Sequence, residues 1–555
     1  MAHTDRQPLS RRGALRLFGG GAALALLAAC APLTPAAPAP TAAQPAPAAP
    51  TPSPANTAAP AAQPTAAPAA QPTTPAAAKR GGSLRIGIPA DITGLDGHLI
   101  AAPATNTLWQ VFDRLTVYNA NLEPQPMLAE SWERSADGTQ LTLHLRTGVQ
   151  FHSGRDFTSA DVAWNLERVK DPKVGAGILA GYRRPLSTVE TPDPSTVVLK
   201  SDKPWPAAFD FFQLFNIVDK DTMEGPNAGR SAGGTGPFIL SEWVQGDHLT
   251  FKRNPNYWQS NKPYLDELQV SISADAQANV VRFEANAVDV VDSPPLIDTV
   301  RLMKDANYSV LVSKNPSVFL SFFFNTTQPP FDRKEVRQAL AYAIDRKRIA
   351  QTVMQGLTAP EALPWANSSP AYDAARNETF AFDPSNAKAL LADAGTPNLE
   401  FEILYSVARP EHQAMANIFQ GDLAQIGVKA TLKSAELASY FSQVQAVSYN
   451  GMAAGSGVSS QLQPQTLLLG VYHSPVVNLS GYKSEEWATL VDAVSSEVDS
   501  AKRKDLYQQI DQFLLDEAWN LPVTHSPNRV ATRKNVVGLN FELHEALNYA
   551  EASLA

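Results

Sequence analysis

The chain has 555 residues and a formal net charge of -9, and no basic run follows residue 80, so the cationic footprint of a nucleic-acid binder is excluded. Its length suffices for two or three domains with cores of their own, and its one cysteine excludes an internal disulfide. Charged residues make up 18% and apolar residues 44%, the low charge reflecting an N-terminal segment rich in alanine.

That segment opens with Arg11-Arg12 ahead of an apolar run from Leu17 to Ala29. Charge, then an apolar stretch, then small residues is the order of a secretory signal peptide, and the run is too short to cross a bilayer as a mature helix. Its ending, Leu27-Ala28-Ala29-Cys30, resembles a lipobox, and Ser10-Arg11-Arg12 resembles a twin-arginine signal. Cys30 is therefore expected to become the acylated first residue, with at least two acyl chains anchoring it to the outer face of the cell membrane. Residues 31–78 are almost wholly Ala, Pro and Thr and hold 14 of the 44 prolines. So few donors and so few large apolar side chains cannot make a core. At about 3.1 Å per residue, a stiff segment of this kind reaches on the order of 100 to 150 Å, the span of a tether.

The body begins at Lys79-Arg80-Gly81-Gly82-Ser83, where Leu84, Ile86 and Ile88 alternate into a strand. A small-residue loop from Ala101 to Thr107 separates it from the amphipathic run Leu108 to Leu115. Asp137-Gly138 is a turn dipeptide, after which Leu141, Leu143 and Leu145 alternate with polar residues. Thr158 and Asp161 have the spacing of a capping box, and Val162, Leu166 and Val169 form one stripe of the helix that follows. Ser195 to Lys200 reads as a strand, and Phe209, Phe211, Phe212 and Phe215 as core. Gly233-Gly234-Thr235-Gly236-Pro237-Phe238 and Arg253-Asn254-Pro255-Asn256-Tyr257-Trp258 read as changes of chain direction.

Further strands are expected at 268–273 and 288–291, around a helical stretch at 274–286. A helix over 333–344 is expected to be capped by Asp332, with Val336, Leu340 and Ile344 on one face. Asp383-Pro384 begins another, which Gly395 ends. A strand at 399–405, a helix at 411–426 stopped by Gly427, and a strand at 428–432 alternate as in a parallel, doubly wound sheet, whose ligands sit beyond the carboxyl ends of the strands. Tyr405 to Pro410 lies at such an end. A last helix is expected over 502–516, before a return near Pro527.

The block LAESWERSADGTQLTLHLRTGVQFHSGRDFTSADVAWNLERV, the two turn motifs and the string NTTQPPFDRKEVRQALAYAIDRKRI resemble the extracellular solute-binding proteins of ABC transporters, the oligopeptide, dipeptide and nickel-binding family (family 5). The resemblance implies an α/β, two-lobed periplasmic-binding-protein-like fold (type II, large three-domain variant), with mixed sheets and hinge crossings. It divides the body into a first domain built from 81–114, 233–313 and 527–555, a second over 115–232 and a third over 314–526. It further implies a monomer, without cofactor or catalysis, that closes on a peptide-like solute and delivers it to ABC permease subunits.

Within that resemblance Arg409 matches an anchor for a ligand carboxylate, with Tyr405 at the aromatic position before it. Ala104 and Thr105 fall at the tip of the loop after the first strand, Asn325 in the Phe322 to Thr326 landmark, and Ala454, Gly455 and Ser456 in the stretch facing an extended ligand. Relatives hold the ligand's ammonium with aspartates here, whereas Met452 to Pro464 contains no acidic residue. An unpaired buried ammonium costs several kcal/mol, so a weak preference for a free α-amine is expected. A non-peptide ligand, such as a metal-chelator complex, an opine or a glycoside, is the alternative.

A serine acyl-transfer enzyme is the competing class, since Ser385-Asn386-Ala387-Lys388 has Ser-x-x-Lys spacing and Ser448-Tyr449-Asn450 imitates a second motif. However, Ser385 falls in the first turn of a helix, and Arg146-Thr147-Gly148 comes too early for the third motif. The nine histidines include no His-Glu-x-x-His, so no metal site is expected. His152 reads as a loop residue, and Gly175-Ala176-Gly177 and Gly455-Ser456-Gly457 lack the setting of a phosphate loop.

Overall fold

The computed structural model describes residues 79–99, 106–224, 229–458, 460–469 and 478–555, so Cys30, the tether and the loop residues Ala104 and Thr105 lie outside the described residues. Strand β1 (Ser83–Ile88) buries the alternating Leu84, Ile86 and Ile88. Next come β2 (Ala129–Arg134), β3 (Gln140–Leu145), β4 (Leu186–Asp193) and β5 (Thr196–Ser201), paired antiparallel in the order β2-β3-β5-β4.

Leu141, Leu143 and Leu145 of β3 all point to the buried side of this sheet, as their alternation predicts. Helix α1 (Ser159–Arg168) packs on β4 and β5. Its expected capping box is present, with the Thr158 backbone N–H donating to Asp161 Oδ2 at 2.9 Å. Phe211 and Phe212 of helix α2 (Ala208–Leu214), with Phe215, are fully buried in the core of the same sheet. Phe209 is only half-buried and leans on Trp132.

Strands β6 (Phe238–Val244), β7 (His248–Arg253), β8 (Glu267–Ile272), β9 (Val290–Asp292) and β10 (Tyr308–Val312) follow. The chain then crosses to β11 (Val318–Phe324), helices α3 (Lys334–Tyr342) and α4 (Pro384–Asp393), β12 (Glu400–Ser406), α5 (Pro410–Gln425), β13 (Lys429–Ala435), α6 (Leu437–Gln445), β14 (Met452–Gly457), α7 (Ser500–Glu517) and β15 (Asn520–Ser526). It crosses back into β16 (Arg529–Arg533). A seven-stranded sheet in the order β10-β16-β9-β1-β8-β7-β6 forms the first lobe together with the four-stranded sheet. A five-stranded sheet in the order β13-β12-β14-β11-β15 forms the second. The fold is a two-lobed α/β arrangement with mixed sheets: β12 runs parallel to β13 and β14, while β11 is antiparallel to β14 and β15.

Asp383 caps α4 by accepting the Asn386 N–H at 2.9 Å, and Gly395 takes φ +70 beyond its end. One cap differs from expectation: α3 starts at Lys334, with Arg333 and not Asp332 in the capping position and no side-chain cap bond. The preceding turn runs one residue longer, the Arg333 N–H donating to Pro330 O at 3.2 Å, so Asp332 is inside the turn. The helix also stops at Tyr342, because Asp345 caps a separate helix, Arg346–Thr352.

The two turn motifs converge on one buried carboxylate. Asp113 accepts from Thr235 Oγ1 at 2.9 Å, Tyr257 OH at 3.2 Å and Trp258 Nε1 at 2.8 Å. Burial raises its pKa, against which the three donors and Arg114 act. Glycine is needed here because backbones touch: Gly236 N–H donates to Val111 O at 2.9 Å, and a Cβ on Gly236 would stand 2.5 Å from the Val111 carbonyl carbon. His152 belongs to the same junction, its Nε2 lying 3.0 Å from Gly236 O. Gly236→Ala is expected to destabilise the fold by about 1–3 kcal/mol through this overpacking, read as a lowered urea midpoint with an unchanged m-value.

Candidate functional site

The geometry of the second lobe opens a wedge at the carboxyl ends of its parallel strands. β12 and β14 pair only at Ile403 with Met452 and Leu404 with Ala453. Beyond that, Tyr405 and Ser406 stay with β13, whereas Ala454 to Gly457 stay with β11. Helix α5 leaves β12 toward β13, and α6 returns from β13 to β14 on the far side of β12. The strand order therefore reverses at this gap, the place where open α/β sheets take ligands.

Tyr405 is half-buried at the wedge and Arg409 is exposed in the capping position of α5, its guanidinium without a hydrogen-bond or ion-pair partner among the described residues. Ala454 is fully buried and its carbonyl accepts from Tyr440 OH of α6 at 2.9 Å, so only its backbone reaches the gap. Gly455 is glycine because Tyr440 and Phe323 fill the place of a side chain, Phe323 Cε2 lying 2.8 Å from where a Cβ would be. Ser456 is half-buried beside it. The wedge thus brings together Tyr405, Arg409, Ala454, Gly455 and Ser456.

Asn325 is not among them. It is fully buried at the opposite end of β14, where its backbone N–H donates to Gly451 O at 2.9 Å. Its side-chain amide donates to Val447 O at 3.0 Å and Tyr449 O at 2.7 Å, and its oxygen accepts from Thr327 N and Oγ1. Every polar atom of that side chain is used, so Asn325 clamps a turn and has nothing to offer a solute. The imitated acyl-transfer motif is similarly committed, with Ser448 Oγ donating to Gln443 O and Tyr449 OH to Leu479 O.

Across from α5 the first lobe carries Arg529, at the start of β16 and within electrostatic reach of Glu411. Its Nε donates to Pro294 O at 2.7 Å. Burial lowers its pKa, while Glu411 of α5 and Asp292 at the end of β9 favour its charge. Asp292, whose pKa burial raises, accepts from Asn106 Nδ2 at 3.2 Å. Sequence reasoning missed this group because its members are distant in the chain and come together only when the crossings fold. Among the described residues no cluster of His, Cys, Asp and Glu is placed to hold a metal ion.

Two crossings join the lobes, β10 to β11 and β15 to β16, and Glu545 binds both. Its carboxylate accepts the Ser317 N–H at 2.8 Å and the Asn528 N–H at 2.9 Å, and the crossings also bond directly through Ser313 N–H and Asn528 O at 2.8 Å. Away from the hinge the lobes meet again. Asp210 of α2 accepts from Tyr118 OH at 2.7 Å in its own lobe, and from the Gln463 N–H at 3.1 Å and Thr466 Oγ1 in the other. Leu462 is fully buried in the core of the four-stranded sheet.

Glu545→Ala leaves two backbone N–H groups at the crossings without an acceptor and is expected to cost about 2–4 kcal/mol, read by chemical denaturation. Asp210 gives a pH signature. Burial raises its pKa to about 7 from an ordinary 3.8, so the folded protein holds a proton that the unfolded chain releases. Its contribution is full below about 4 and is lost as pH rises through about 7. Between about pH 4 and 7, Asp210→Asn is therefore expected to remove a falling contribution of about one proton from the slope of thermal stability against pH. Glu361 and Asp511, raised by burial to about 8 and about 7, act in the same direction, whereas His98, His412, His525 and His544, lowered by burial from 6.5 to about 4, make stability rise with pH up to about 6.5.

Comparison with known proteins gives the family and agrees with the overall fold. The family model of bacterial extracellular solute-binding proteins, family 5 (middle), matches residues 123–478. The chain is 30% identical over 458 residues to heme-binding protein A of Haemophilus influenzae, covering 75% of this chain and 82% of that protein. It is 27% identical over 470 residues to the dipeptide-binding protein of Escherichia coli, covering 77% and 86%. The binding protein AgaA of A. tumefaciens R10, solved in complex with agropinic acid, superposes with a TM-score of 0.73 at 29% identity, covering 85% of this chain and 99% of that one. A match to more than half of the chain places the protein in a family of binding proteins: the chain belongs to the bacterial extracellular solute-binding proteins, family 5.

Proposed function

We propose that the protein is the membrane-anchored binding component of an ABC importer, which captures a peptide-like solute between its lobes and hands it to the permease. The observation that carries this reading is the wedge between β12 and β14, with an arginine at its mouth that has no partner among the described residues. Alternate backbone groups of Ala454 to Gly457 face away from β11 and into the gap, a template for an extended ligand adding as a strand. Arg409 is the fork for a carboxylate of that ligand. Relatives named for binding dipeptides and glutathione, and the one solved with agropinic acid, take solutes that carry such a group.

The lobes in this reading are the first domain (81–114, 233–313, 527–555) with the second (115–232), against the third (314–526). Cys30 carries the lipid anchor and the following residues the tether. A second reading, a solute without a free α-amine, is favoured by the absence of any acidic residue from Met452 to Pro464. Glu411 and Asp292 lie nearby, but both face Arg529.

Native mass spectrometry of protein purified without denaturation tests the reading: a bound small molecule carrying a carboxylate is expected, and a chemically altered product would refute it. Calorimetry with that molecule should show Arg409→Ala binding about 10- to 100-fold more weakly, the worth of a hydrogen bond to a charged group. N-acetylation of a peptide ligand should change its affinity little. Cys30→Ala should abolish incorporation of labelled fatty acid and release the protein from membranes.

A further inference from the structure

Helix α5 buries one stripe, His412, Met415, Ala416, Phe419 and Leu423, against the five-stranded sheet. The later members pack into the apolar core. His412 is one turn nearer the start of the helix, beyond the point where β12 and β14 part, so the same face carries its ring over the wedge and not over the sheet. There it meets Tyr440 from the opposite face of the sheet, with ring centroids 5.9 Å apart. The Tyr440 hydroxyl is already donated to Ala454 O.

His412 is 3% exposed, and neither ring nitrogen has a hydrogen-bond partner among the described residues. Burying such a group unsatisfied costs free energy that a purely structural side chain would recover by being apolar. Arg409, one turn away on the same helix, is the charge acting on it, and burial ahead of that charge lowers its pKa to about 4. The ring is therefore neutral at ordinary pH, with one N–H to donate and one nitrogen to accept.

We propose that His412 is a ligand-contacting residue of the wedge, donating its N–H to the solute carboxylate that Arg409 also grips. This rests on the wedge being the binding site. Arg409 supplies charge from the exposed rim and His412 a directed hydrogen bond from the buried floor, so together they select a carboxylate over its uncharged amide. The free nitrogen takes an amide N–H next to that carboxylate, the arrangement found at the C-terminal end of a peptide.

The test uses the full-length wild type and His412→Leu, each stripped of ligand and incubated with an equimolar pool of free-acid dipeptides, their C-terminal amides and glutathione. Retained compounds are identified by native mass spectrometry, and the melting temperature of each unliganded protein is measured. Wild type is expected to retain free acids over amides. His412→Leu is expected to retain the same acids about 10- to 100-fold less, while its unliganded melting temperature is equal to or above that of wild type. His412→Gln, which keeps a donor, should recover part of the loss.

Equal retention by wild type and His412→Leu, with a lower melting temperature in the variant, would make the histidine structural and overturn the proposal while leaving the wedge as the site. A wild type that retains nothing from the pool would overturn the peptide-like reading, and the proposal with it.

Discussion

The two lobes depend on how a pair of backbone crossings is held at the hinge. Glu545 accepts an N–H from each crossing, so the strands that join the lobes share one buried carboxylate. Burial raises its pKa, against which these N–H donors act. A rigid pair of crossings with so few connections lets each lobe move as a body, which is the requirement for a hinge. The contacts far from the hinge, Asp210 with Gln463 and Thr466 and Leu462 in the aromatic core, then decide how firmly the lobes stay together.

The wedge follows from the same architecture. A strand can pair on two sides, and β14 gives one side to β11 along its whole length. Its other side is matched by β12 for only two residues before β12 turns to β13. Glycine at 455 and 457 lets Tyr440, Phe323 and Phe319 occupy the space beside the open edge. What remains is a polar-lipped gap with apolar walls, an arginine on the rim and an unsatisfied histidine inside.

Much of this was legible from local pattern. The alternation of β3, the capping box of α1 and the Asp-Pro start of α4 are interactions within a few residues, and the structure places each as its spacing predicts. The start of α3 was not, because the length of a turn decided which residue became the cap. Arg409 was legible as the residue between a strand end and a proline-started helix. Asn325 was misread, since a landmark next to a strand end gives no sign of which end of the sheet it occupies. His412, Tyr440, Arg529 and Glu545 were silent, as each acquires its meaning from a partner far along the chain. Only the position of His412 at the head of an apolar stripe was a local signal, an imidazole where the helix period calls for a hydrophobic residue.

The central claim is that the body is a hinged clamp that shuts reversibly around its solute without altering it. Small-angle scattering of the stripped protein, then of the same sample after its native solute is restored, tests this most directly. The account predicts a smaller radius of gyration on loading, reversed when the intact solute is dialysed away. Superimposable profiles from a sample shown by mass to be loaded would contradict it.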